Sequence, residues 1–204
     1  MRVIGLTGGI GTGKSEVSRM LQDLGALTID ADLLAHQTYF KGSKIWQAIV
    51  SYFGKGILTP EGYIDRQELG SVVFAKQRAR KKLESLVWPE VKLIAEREIR
   101  QIALLRPPMI VLEAAVLIEA GWCTMVDEIW LTYATKEMVI RRLKESKGLS
   151  EKQVNQRISS QLSFLKQRRH AKVIIENTNT MDALRKTVRS LWKTYQKDKS
   201  STNG

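Results

Sequence analysis

Val3-Ile4-Gly5-Leu6-Thr7-Gly8-Gly9-Ile10-Gly11-Thr12-Gly13-Lys14-Ser15 decides the fold: a short apolar run, a glycine-rich turn, then a Lys-Ser pair. Within it, Gly8-x-x-x-x-Gly13-Lys14-Ser15 matches the phosphate-binding loop pattern in full. The surroundings match too. Residues 3–6 read as a strand, and Val17, Met20, Leu21 and Leu24 recur at helical spacing after the loop. Phosphate oxygens need many donors, and backbone N–H groups supply them only where the chain wraps tightly, which is what the glycines permit. The helix that follows adds the positive end of its dipole. Lys14 is expected to reach the β- and γ-phosphates of ATP, and the Ser15 hydroxyl to bind Mg²⁺.

Outward from the loop, short apolar runs alternate with helical patterns. Strands are predicted at residues 3–6, 27–29, 109–112, 128–132 and 173–175. Such alternation implies an α/β fold of the P-loop NTPase, nucleotide-kinase-like kind: a parallel five-stranded sheet flanked by helices. One P-loop kinase domain spans residues 1–204. Its core is expected at 1–29, 109–135 and 173–196, with a helical insertion at 30–108 and, at 136–172, a helical lid whose basic excess suits closing over phosphates. The polar tail at 197–204 reads as disordered. The insertion carries a turn at Thr59-Pro60-Glu61-Gly62, and Pro89 is expected to kink or divide the helical pattern of 76–105. The lid reads as two helices separated near Gly148-Leu149-Ser150, the second opened by a capping box from Ser150 to Gln153.

The second predicted strand ends at Asp30-Ala31-Asp32. In parallel α/β sheets ligands bind beyond the carboxyl ends of the strands. Asp30 suits a helix cap. Asp32, inside the first helical turn, reads as the group that accepts a proton from an attacking hydroxyl. Glu113 ends the third strand, where an acid can orient Mg²⁺ through its waters. Glu119 reads equally as a ligand contact or as an ordinary salt-bridge partner. His36 and His170 have no metal-ligand spacing, and the five tryptophans are scattered as core or half-buried residues are.

The chain has 204 residues and a formal net charge of +12. Residues 138–172 hold ten Lys or Arg against only Glu145 and Glu151, an excess that suits a segment closing over phosphates. Cys123 is the only cysteine, so no internal disulfide can form. No apolar run reaches the roughly 20 residues that cross a membrane, and the start lacks the pattern of a secretory signal. These features predict a cytoplasmic protein, a monomer or weak homo-oligomer, with no nucleic-acid or membrane partner. The charge also raises a nucleic-acid-dependent ATPase as an alternative, although no helix-turn-helix, RNP or zinc motif is present.

Taken together, these stretches resemble the dephospho-CoA kinases. The resemblance is carried by residues 4–15, by Ile29-Asp30-Ala31-Asp32-Leu33-Leu34-Ala35, and by Ile64-Asp65-Arg66 with Leu69 and Phe74. It continues in Trp88-Pro89, Leu117 with Glu119, Arg142-Leu143, Gly148-Leu149-Ser150, Arg157 with Gln161, and Ile175 with Asn177. It covers residues 3–195 in order. Glu113 departs from it, standing where the family usually has Asp. The resemblance implies ATP-dependent phosphorylation of the ribose 3′-hydroxyl of dephospho-CoA, the last step of coenzyme A synthesis, with Mg²⁺. Lys14, Asp32 and Arg142 would be catalytic. Gly9, Gly11, Thr12, Gly13, Lys14, Ser15, Glu16 and Asn177 would bind ATP. Thr7, Asp32, Arg66, Leu117 and Glu119 would bind the acceptor, with 30–108 as a helical substrate-binding insertion. Ser15, and Glu113 through water, would serve the metal. A kinase for another nucleoside or nucleotide would share the loop and lid and differ in its acceptor pocket.

Overall fold

The computed structural model describes residues 2–202 of the chain. All five predicted strands form: β1 (Arg2–Gly8), β2 (Leu27–Asp30), β3 (Met109–Glu113), β4 (Glu128–Tyr133) and β5 (Val173–Glu176). They pair in parallel in the order β2-β3-β1-β4-β5. Because β1 is central, its Ile4 faces Val111 on one side and Glu128 on the other, and Leu6 faces Glu113 and Trp130. A central parallel strand is covered on both faces, which is why it reads as a continuous apolar run.

One face of the sheet is covered by α1 (Lys14–Asp23) and α9 (Met181–Thr202). There Ile4, Leu6, Val111 and Ile175 pack with Val17, Leu21, Leu184 and Val188. Each fully buried aliphatic side chain contributes on the order of 1.5–3 kcal/mol. On the other face the chain after β3 lies against β1. A Cβ at Gly5 would meet Leu117 Cδ2 at 2.9 Å and Val126 Cγ2 at 3.1 Å. Tyr195 of α9 donates its hydroxyl to the Pro108 carbonyl at 2.9 Å and accepts from the Arg2 N–H. Helix α9 continues to Thr202, through most of the tail expected to be disordered, because extending a formed helix adds one backbone hydrogen bond per residue fixed. Asn203 and Gly204 lie outside the described residues.

The chain separates into two compact units. One takes in the described residues up to Asp30 and from Glu98 on, and the other is Ala31–Arg97, which lies within the expected insertion. The smaller unit is built from α2 (Ala31–Thr38), α3 (Lys44–Phe53), α4 (Arg66–Ala75) and the greater part of α5 (Gln77–Ala103). Ser43 caps α3 by accepting the Trp46 N–H, and Asp65 caps α4 by accepting from Gln67 and Glu68. The turn at 59–62 closes a small antiparallel bridge between Leu58 and Ile64. Pro89 does not divide α5. It removes one hydrogen bond, but Val87, Val91 and Ala95 are buried on either side of it and hold the helix.

Between β4 and β5 the chain forms three helices rather than two: α6 (Lys136–Lys147), α7 (Glu151–Ser159) and α8 (Phe164–Arg168). The capping box at Ser150 and Gln153 is present in both directions. The short α8 is too brief for a periodic signal. It is recognisable only from its packing, with Phe164 against the Tyr133 ring at 4.4 Å.

Candidate functional site

The phosphate loop joins β1 to α1, and its glycines are fixed by what surrounds them. Gly13 has φ +96°, and a Cβ there would lie 2.2 Å from Asn177 Nδ2. Gly11 has φ +74°, and a Cβ would lie 3.0 Å from Val139 Cγ1 of α6. Both positions combine a left-handed backbone with close approach, so only glycine fits. The Thr12 hydroxyl lies 2.7 Å from the Gly9 carbonyl and 2.7 Å from Thr132 Oγ1, and Thr132 in turn donates to the Thr7 carbonyl. This hydroxyl ladder ties the loop to β4. Lys14 Nζ rests on the Gly8 carbonyl at 2.9 Å and the Gly9 carbonyl at 3.3 Å. The Ser15 hydroxyl donates to Glu113 Oε1 at 2.6 Å. Glu113 is only 7% exposed, so the end of β3 presents a buried carboxylate directly to the start of α1.

The segment after β4 is fastened to this loop. Ile10 of the loop packs into the small core formed by Val139, Leu143 and Val154. Arg142 on α6 donates to the Gly11 carbonyl at 3.4 Å and to the Asn177 backbone and side-chain oxygens at 3.0 and 3.1 Å. Burial and the neighbouring Arg141 charge both lower the Arg142 pKa, yet a guanidinium stays charged at neutral pH. Asn177 gives its amide N–H to the Thr12 carbonyl at 3.0 Å. Its side chain therefore holds loop and arginine together from the end of β5.

Other predicted residues take structural positions. Leu117 is fully buried and packs over Gly5, so its side chain belongs to the core rather than to a substrate surface. The sequence could not separate these readings, because an apolar residue near a strand end suits both. Thr7 is fully buried in β1, with its hydroxyl lacking a partner among the described residues. Glu16 pairs with Arg19 one turn along α1 at 2.6 Å, so its side chain lies along the helix. Glu119 makes no salt bridge among the described residues; its Oε1 accepts the Leu162 N–H at 3.0 Å. In the other unit, Asp32 is exposed in the first turn of α2, two residues beyond the end of β2, and Arg66 is exposed at the start of α4. His36 of α2 has Nδ1 hydrogen-bonded to the hydroxyl of Tyr39, just past the helix end. Burial pushes the Tyr39 hydroxyl pKa up, and the Arg66 charge opposes this.

One loop contact carried no signal of its own in the sequence beyond a resemblance. Gln161 Oε1 accepts the Ile10 N–H of the phosphate loop at 2.8 Å across 151 positions of chain. It borders a cavity of about 320 Å³ that Gly9, Thr132, Tyr133 and Phe164 also line. A glutamine between α7 and α8 has no period to mark it, so its contact with the loop is seen only in the fold.

A strand, a phosphate loop, a buried acid at the neighbouring strand end and an arginine brought to the loop are the parts of a phosphoryl-transfer site. The comparisons agree. The family model for Dephospho-CoA kinase matches residues 2–183. A dephospho-CoA kinase of Geobacter sulfurreducens is 41% identical over 192 residues, covering 94% of this chain and 98% of that one. Among solved structures, TT1252 from Thermus thermophilus superposes with a TM-score of 0.77 at 27% identity, over 95% of this chain and 97% of that one. A dephospho-CoA kinase from Campylobacter jejuni gives a TM-score of 0.71 at 26% identity, over 97% and 98%. No described helix is long and apolar enough to cross a membrane. With a match that runs through sheet, insertion and loop alike, the chain belongs to the dephospho-CoA kinase family.

Proposed function

We propose that this protein transfers the γ-phosphoryl group of ATP to the ribose 3′-hydroxyl of dephospho-CoA, giving ADP and coenzyme A. The observation that carries this reading is the Lys14 ammonium resting on the Gly8 and Gly9 carbonyls, beside the Ser15–Glu113 pair at 2.6 Å. Phosphate entering the loop would draw Lys14 off those carbonyls, since an ion pair with phosphate is stronger than a bond to a neutral oxygen. Gly9, Gly11, Thr12, Gly13 and Ser15 would then bind ATP through the backbone N–H groups of the loop.

Ser15 and Glu113 supply only oxygen donors, as a hard cation requires, and no group of three or more His, Cys, Asp or Glu that could hold a metal exists among the described residues. That set fits Mg²⁺, which takes one or two protein oxygens and completes its shell with phosphates and water. When bound, the ion would neutralise charge on the β- and γ-oxygens. Glu113 is one methylene longer than aspartate, so it would act through a bound water.

Asp32 would accept the proton of the 3′-hydroxyl as that oxygen attacks phosphorus. Arg142 would exchange its Gly11 and Asn177 acceptors for the oxygens of the transferring group, for which a planar guanidinium is well suited. Arg66, exposed on α4, would meet the acceptor's own phosphates. The segment 136–172 would act as a lid that excludes water, the competing acceptor. A chain whose single cysteine is free, with no membrane-spanning helix among its described residues, suits work in the cytoplasm. The test is a panel of acceptors with MgATP. Dephospho-CoA should be phosphorylated far faster than AMP, dCMP or uridine. Preference for any of the other three would replace the acceptor assigned here.

A further inference from the structure

The Gln161 carboxamide is held at one end only. Its Oε1 accepts the Ile10 N–H at 2.8 Å, and this is its one side-chain hydrogen bond to the described residues. The Nε2 amino group has no acceptor among the described residues, and the side chain borders the cavity beside the loop. A carboxamide anchored through its oxygen turns its two N–H donors away from the anchor. The donors are thus fixed in direction without being used.

Their location is set by Lys14. A phosphate-loop lysine serves the β- and γ-phosphates. Here the ammonium lies on the carbonyls of Gly8 and Gly9, at the outer end of the loop. A Cβ on Gly9 would be 3.8 Å from Gln161 Oε1, so the carboxamide sits at that same end. The inner phosphates meet the other end, at Gly13 and the start of α1. The backbone of the next residue fixes the approach further: the Leu162 N–H is bound by Glu119 Oε1 at 3.0 Å. Two successive residues between α7 and α8 are therefore fastened, one to the loop and one to the chain after β3.

We propose that Gln161 is a γ-phosphate ligand carried by the lid, its oxygen locked to Ile10 and its amino group donating to the terminal phosphoryl of ATP. The role rests on the kinase reading for its purpose, but its test does not require the acceptor. Gln161 would report to the loop that the lid is in place, and would separate ATP from ADP.

The experiment compares ATP and ADP binding, each with Mg²⁺, to the full-length protein and to Gln161→Glu and Gln161→Met. The glutamate keeps the oxygen that takes the Ile10 N–H but loses both donors. Methionine keeps the shape and loses everything polar. Hydrogen bonds to charged groups predict that both variants lose roughly tenfold or more in ATP affinity, while ADP affinity moves less than about threefold. Wild-type ATP affinity in Gln161→Glu, with a loss only in Gln161→Met, would reduce Gln161 to a latch on Ile10 and overturn the proposal. Equal losses for ATP and ADP would overturn it as well, because a disturbed loop cannot tell the nucleotides apart. Failure of the wild type to phosphorylate dephospho-CoA would refute the acceptor assignment and leave this comparison readable.

Discussion

At the scale of single residues, the site has groups proposed to meet ligand and groups that hold the fold in shape. Asp32, the base proposed above, is exposed two residues beyond the end of β2. Asp32→Asn keeps the shape and loses the base, so kcat should fall by about 10²–10⁴ while ATP affinity holds. Asp30→Asn should lose less, which steady-state kinetics on both variants will check. Leu117 belongs to the second group. Leu117→Ala should cost about 2–5 kcal/mol by denaturant unfolding and leave KM for the acceptor nearly unchanged. A raised KM with unchanged stability would return Leu117 to the substrate surface. The sequence showed Lys14, Ser15 and Glu113 because each sits in a local pattern: a motif, or the end of an apolar run. It could not show that Asn177 ties Thr12 to Arg142, since the Asn177–Thr12 bond joins residues 165 positions apart in the chain.

At the scale of elements, the five strands were legible because buried parallel strands are short apolar runs between helical patterns. The lid was read one helix short, because α8 has five residues and no full period. Of the two outcomes expected at Pro89, a kink or a division, division did not follow, because packing on either side outweighs the lost hydrogen bond. Arg142 shows what an element contributes. Val139 and Leu143 of α6 are buried beside Gly11, which fixes the helix and brings the arginine between them to the loop. Arg142→Lys should therefore lower kcat much more than it raises KM for ATP, since the guanidinium contact strengthens as charge spreads in the transition state. Arg168→Ala, at an exposed position of α8, should change little. Single-turnover rates separate the two.

At the scale of the whole molecule, the charge of +12 marked a partner rich in phosphate without naming it, and the acceptor was identified only by motifs acting jointly. One acid does show how the fold manages this charge. Burial pushes the Glu128 carboxyl up, but its hydrogen bond and attraction to Lys172, with Trp130 and Arg2, more than offset this and hold it below the usual range. A depressed carboxylate gives stability that is present above its unfolded pKa and lost as pH falls through the folded value. Unfolding midpoints of the wild type should therefore fall more steeply below about pH 4 than those of Glu128→Gln. Parallel curves would remove Glu128 from the acid response. The most direct test of the account as a whole is the product itself. The protein with MgATP and dephospho-CoA should yield one ADP per coenzyme A, with the new phosphorus signal on the ribose 3′-oxygen by ³¹P NMR. ADP released with inorganic phosphate and unchanged dephospho-CoA, or phosphate on a different oxygen, would contradict it.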